Sequence, residues 1–125
     1  MTNKQRPVYL SLTQFRWPIP AIASITHRIT GVLLFLGIGF LLWLLDMALE
    51  SAAGFDAARE ILMLPLAKLV LWGVLVMLLY HLIAGVKHLL LDFHLGDTMQ
   101  AAIAGVWFVF AVTAVLAAAL GVWIW

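Results

Sequence analysis

Cysteine is missing altogether from the 125 residues, which excludes disulfides, thiolate zinc sites and iron–sulfur ligation by this chain. Charge is the next scarcity. Seven Lys and Arg and six Asp and Glu make up 10% of the sequence, against about 25% in an ordinary soluble domain. So few charged side chains cannot clothe a soluble core, and a soluble globular fold is excluded. Disorder is excluded as well, because it requires low hydrophobicity and high net charge. A formal net charge of +1 gives no basic field for nucleic acid, and no nucleic-acid partner is expected. What abounds is apolar: 66% of the residues are hydrophobic and mean hydropathy is +1.11. This is the composition of a membrane protein, with lipid as its surroundings.

Uncharged runs locate the spans. Residues 29–45 form a run of 17, residues 69–86 a run of 18, and residues 98–125 a run of 28. A span needs about 17–25 apolar residues. The first two runs extend at their ends because Arg28, Lys68 and Lys87 can snorkel to the headgroups. The expected fold is all-α, with three transmembrane helices at about 22–49, 62–91 and 101–124. They form an anchor domain (22–125) behind a cytoplasmic N-terminal segment (1–21). That segment carries Pro7, Pro18 and Pro20 and has neither the apolar core nor the small-residue cleavage site of a signal peptide. It also lacks the Arg- and Ser-rich amphipathic character of a transit peptide, so a bacterial inner-membrane chain is expected.

Lys4, Arg6, Arg16, Arg28 and Lys87 fall on one side of the spans, and Arg59 and Lys68 on the other. This asymmetry places the N-terminus in the cytoplasm and the C-terminus in the periplasm. Trp43, Trp72, Trp123 and Trp125 then sit near the outer interface and Trp17 near the inner one. Trp107 lies deeper, with packing as its only evident role.

Ionisable residues inside a bilayer cost several kcal/mol unless paired or functional. Four histidines (His27, His81, His88 and His94), with Arg28, Lys87 and Asp92, all fall in the cytoplasmic half. His81 is the deepest, about 9 Å inside the level of Lys87 along a helix. Neutral imidazole is a good haem-iron ligand, and Gly85, one turn on, would let a flat ring approach the backbone. A hydrogen bond to a neighbouring helix or a place in a proton relay would equally account for such a histidine. His88 shares the azimuth of His81 but lies about 10 Å along the axis, so the two cannot both ligate one iron. It is expected at the headgroup level, and His94 in a loop. With His27 expected at the end of the first helix, no other helix of this chain offers a histidine at the depth of His81. If haem is bound, its second ligand must come from a partner subunit.

Ser24, His27, Arg28 and Gly31 follow an i, i+3, i+4, i+7 spacing that aligns them on one helix face. Arg28 there is either a topogenic anchor or, with Ser24, part of a polar pocket for a ligand with a carbonyl or carboxylate head. Depth alone makes Asp92 a candidate partner for Arg28.

Arg6-Pro7-Val8, Leu12, Ile19 and Ser24-x-x-His27-Arg28-x-Thr30-Gly31 resemble the N-terminal signature of the cytochrome b membrane-anchor family of succinate dehydrogenase (respiratory complex II). His81-x-x-x-Gly85-Val86-Lys87-His88-x-x-x-Asp92 resembles the second signature of the same family, and the resemblance is closest to proteobacterial members. It implies a role in the tricarboxylic acid cycle and electron transport, in a complex with a second membrane anchor subunit, an iron–sulfur subunit and a flavoprotein subunit. It further implies haem b shared between the two anchor subunits, with His81 as an axial ligand and His27 and Arg28 at the propionates. Ser24 and Arg28 would line a ubiquinone site; His88, solvated or near a propionate, and Asp92 are secondary candidates beside these residues. Lys87 stands where the family usually has Arg, and lysine cannot make a bidentate propionate contact. No flavin or nucleotide motif is present, so no residue is assigned catalysis on succinate. A fumarate reductase anchor and a haem-free structural anchor are the alternatives. A transporter is disfavoured because the polar residues cluster in one half, with only Thr113 at depth in the third helix.

Overall fold

The computed structural model describes residues 16–125. Arg6-Pro7-Val8, Leu12 and Lys4 lie outside the described residues. Among the described residues four helices follow in chain order: α1 (Ile19–Glu50), α2 (Ala52–Met63), α3 (Pro65–Asp92) and α4 (Met99–Ile124). Three of them, α1, α3 and α4, are long and apolar enough to cross a membrane. At 32, 28 and 26 residues they run about 39–48 Å, longer than a hydrocarbon core of roughly 30 Å.

Local chemistry sets the boundaries. Pro20 falls in the first turn of α1, where the missing N–H costs no helix bond. The helix therefore begins at Ile19, earlier than the hydropathy run indicates. Ser51 ends α1 in extended backbone and caps α2 by accepting from the Gly54 N–H at 3.0 Å. Residues 62 and 63, expected at the start of the second span, belong instead to α2. Leu64 interrupts the helix in extended conformation, and Pro65 opens α3 as its first residue. The α3–α4 connection turns through His94 (φ 59°) and Gly96 (φ 76°), both left-handed. Thr98 then caps α4 by accepting from the Ala101 N–H at 3.2 Å. His94 is thus a turn residue, as expected.

Packing centres on α3, which lies against both α1 and α4. Tyr80, Ala84 and Val109 form the core cluster with Ile83 and Phe110 against it. Val106 and Val109 on α4 are the most deeply buried side chains among the described residues. Large apolar residues such as Phe35, Leu36 and Val122 face outward, where lipid or protein must meet them. Because lipid tails are as apolar as leucine, close contact and hydrogen bonds hold these helices together rather than hydrophobic burial. Two such bonds link α3 to its neighbours away from the histidines. Tyr80 Oη donates to the Ala23 carbonyl at 2.9 Å, tying α3 to α1, and Trp72 Nε1 donates to the Ala117 carbonyl at 2.9 Å, tying α3 to α4.

At the α1–α3 crossing Gly37 is buried against Val74. A Cβ at position 37 would come within 2.7 Å of Val74 Cγ2, and a β-branched neighbour has little rotamer freedom to yield. Gly37→Val is expected to cost about 1–3 kcal/mol, seen as a lower thermal midpoint of the detergent-solubilised protein. Adding Val74→Ala should restore most of the loss; a Gly37→Val variant as stable as the parent would show that the crossing is loose.

Candidate functional site

The two signature segments meet where α1 passes α3. His81 Nδ1 lies 3.0 Å from the His27 carbonyl oxygen and 3.2 Å from Thr30 Oγ1. A carbonyl only accepts, so Nδ1 carries the hydrogen. The Thr30 hydroxyl donates to the same His27 carbonyl at 2.9 Å and uses a lone pair to share the imidazole N–H. The His81 tautomer is thereby fixed, with the lone pair on Nε2. This is the arrangement that orients a ligating histidine and raises its basicity.

The His27 ring stacks on that of His81, with centroids 3.9 Å apart and planes inclined by 10°. This corrects one expectation. His27 is not at the end of the first helix, because α1 begins at Ile19 and carries His27 two turns inward, to the depth of His81. The consequence drawn for ligation still holds, for a different reason. Stacked, nearly parallel rings direct their lone pairs side by side, whereas trans axial ligands must face one another across the metal. His27 Nε2 is buried and has no hydrogen-bond partner among the described residues. His88 meets the edge of His27 at 5.2 Å and is half-buried rather than fully solvated.

Glycines shape the space around these rings. A Cβ at Gly31 would stand 3.0 Å from His81 Cε1, and one at Gly85 would stand 3.4 Å from His27 Nε2. His27, His81, Gly85, Val86, His88 and Leu89 line an open groove of about 420 Å³. The three imidazoles do not make a metal-ion site, since no group of three His, Asp or Glu side chains converges among the described residues. A planar, largely apolar group ligated at one position fits better. The fixed tautomer supplies its ligand, the glycine supplies room beside the ring, and the orphaned His27 nitrogen is a polar atom without a partner among the described residues. The residues present therefore fit a haem.

The remaining sequence candidates fall around this groove. Ser24 is half-buried one turn before His27 and Arg28 is exposed, so the predicted stripe divides. Gly31 and His27 face α3, while Arg28 lies on the open side. Asp92 is exposed at the end of α3. The Lys87 stem lies against α4, where a Cβ at Gly105 would meet Lys87 Cε at 3.0 Å, away from the histidine groove. Thr30 and Tyr80 were given no role by sequence reasoning. Their hydroxyls were the available signal, since a polar group in an apolar span must find a partner.

A family model described as succinate dehydrogenase/fumarate reductase transmembrane subunit matches residues 2–120. The chain is 38% identical to a succinate dehydrogenase cytochrome b556 subunit of Coxiella burnetii over 124 residues, covering 98% of this chain and 99% of the relative. It is 37% identical over 97 residues to the cytochrome b556 subunit of Paracoccus denitrificans, covering 78% and 75% of the two chains. A mitochondrial cytochrome b560 subunit of Dictyostelium discoideum is 32% identical over 87 residues, 70% of this chain and 45% of the relative.

Because the His27 carbonyl alone suffices to hold the His81 N–H, Thr30→Val should leave the tautomer unchanged. Histidine nitrogen shifts in a labelled sample would read this. The variant should lose about 0.5–1.5 kcal/mol of stability for the missing hydrogen bonds. A switch to the Nε2–H tautomer would show that Thr30, not the carbonyl, sets the proton.

Proposed function

The chain belongs to the succinate dehydrogenase/fumarate reductase transmembrane subunit family and is a multi-pass membrane subunit of the succinate dehydrogenase cytochrome b type; on that premise we propose that it holds one side of a haem b and one wall of a ubiquinone site. A single observation carries the reading. The His81 imidazole, in an apolar groove opened by glycine, has its Nδ1–H engaged by the His27 carbonyl and its Nε2 lone pair left for iron. His81 would ligate the haem iron from this chain. None of the other three histidines is placed to oppose it, so a histidine of a second anchor subunit completes the coordination. When bound, the haem supplies a one-electron store between the iron–sulfur and flavoprotein subunits and the quinone.

The chain's own residues do the rest. Thr30 and the His27 carbonyl hold His81 in orientation. His27 Nε2 and the Arg28 guanidinium offer donors to the propionates, with His88 beside them. Lys87, turned against α4, does not serve as the family arginine would. Ser24 donates to a ubiquinone carbonyl, and Arg28 stabilises the negative charge that gathers on the quinone oxygens as electrons arrive. Such a charge counts for most in a site sheltered from water. Asp92 at the end of α3 balances the cations at the same level. The N-terminus is cytoplasmic and the C-terminus periplasmic in a bacterial inner membrane, which turns the histidine groove toward the subunits that deliver electrons.

His81→Leu should alter the reduced-minus-oxidised haem spectrum of the assembled complex; an unchanged spectrum would remove His81 as ligand. Ser24→Ala and Arg28→Leu should each lower succinate:quinone reductase activity about tenfold or more, the loss of one hydrogen bond to a charged group. Haem content should stay near that of the parent in Ser24→Ala, whose hydroxyl has no part in holding the haem. Normal turnover in both variants would refute the quinone-site assignment.

A further inference from the structure

At the end of the molecule opposite the histidines, α2 folds back against α1 and borders an open apolar pocket of about 340 Å³. Leu41, Leu44 and Leu45 of α1, Phe55 and Leu62 of α2 and Leu71 of α3 line it. One polar side chain borders it, Arg59. The same Arg59 borders a second, polar cleft of about 410 Å³ with Asp56, Glu60 and Met63. Arg59 thus borders both spaces from the flank of α2, between its apolar face (Phe55, Ala58, Leu62) and its acidic face (Asp56, Glu60).

The position matches the division of a phospholipid. Leu64 and Pro65 mark where α3 begins its span, so α2 lies at the headgroup level of that leaflet and Leu41–Leu45 lie below it. Charge selects the headgroup. A purely anionic lipid would gain Arg59 but meet Asp56 and Glu60, with Asp46 and Glu50 of α1 also on this side. A zwitterion with a phosphate and a primary ammonium satisfies both signs, with the planar guanidinium suited to phosphate.

We propose that this cleft holds one aminophospholipid of the leaflet facing α2, with an acyl chain in the cavity, its phosphate on Arg59 and its ammonium between Asp56 and Glu60. The lipid wedges α2 against α1 and α3, and occupies space that no described side chain fills.

The test is native mass spectrometry of the intact complex, delipidated in mild detergent and then offered phosphatidylethanolamine or phosphatidylglycerol. The parent should retain one phosphatidylethanolamine in preference to phosphatidylglycerol. Arg59→Gln, an exposed change far from the haem site, should lower that occupancy about tenfold with the haem spectrum unaltered. Asp56→Asn with Glu60→Gln should shift preference toward phosphatidylglycerol. Leu44→Trp, which fills the cavity, should abolish retention. Equal retention by Arg59→Gln and parent, equal uptake of the two lipids by the parent, or a cavity that keeps only detergent would each overturn the proposal. Because Arg59→Gln leaves the histidine groove intact, these outcomes are independent of the haem and quinone readings.

Discussion

Two helices of this chain are joined at the hydrogen bond from His81 Nδ1 to the His27 carbonyl. In hydrocarbon an imidazole with an unpaired N–H costs several kcal/mol. The carbonyl of an intact helix meets that need without breaking a backbone bond, because its oxygen has a second lone pair. One contact thus determines the tautomer, the ring orientation and the approach of α3 to α1. Gly31 is a condition of it, since a side chain there would collide with the His81 ring. Tyr80, next in sequence to His81, repeats the device with the carbonyl of Ala23, one turn before His27. Two successive polar residues of α3 therefore grip two successive turns of α1.

This grip explains why a chain with so few polar groups spends its hydroxyls here. Close packing at Gly37 and Val74 lets the helices approach, but van der Waals contact between apolar surfaces does not select a rotation about the helix axis when lipid competes equally. Directional bonds from Tyr80, His81 and Trp72 select it. The helix rotation in turn leaves Gly85, Val86 and Leu89 on the open side of α3, where the groove forms.

Much of this was legible in the sequence. The spans were visible because charge is so scarce, and His81, Ser24 and Arg28 stood out because polar groups are rare within them. Three things were not. The amphipathic helix α2 carries Asp56, Arg59 and Glu60 and reads as a charged connection, although Ser51 as cap and the Phe55, Ala58, Leu62 spacing mark a helix face. The depth of His27 was also misread, because hydropathy counts Pro20 against a helix whereas a proline in the first turn favours its start. The helix starts at Ile19 rather than near residue 22, less than one turn earlier, and its packing on α3 brings His27 onto the His81 ring. The partner of His81 was beyond reach for a third reason, since a backbone carbonyl leaves no trace in residue identity.

The stacked pair of imidazoles also bears on how the groove is completed. His27 Nε2 is buried without a partner among the described residues, an arrangement that costs free energy as long as nothing accepts its hydrogen or donates to its lone pair. Its ring lies over Gly85 at van der Waals distance, so it partly fills the space beside the His81 ring. Under the proposed function, His81 would hold the haem and the buried His27 nitrogen would find its missing partner in a propionate. The unsatisfied atom and the glycine beside it are two parts of one arrangement: an imidazole stacked on His81 covers part of an apolar groove, with its Nε2 unpaired among the described residues. Replacing either the glycine or the histidine would alter the closure without touching the His81 anchor on Thr30 and the His27 carbonyl, which belongs to the backbone and remains whatever side chain position 27 carries.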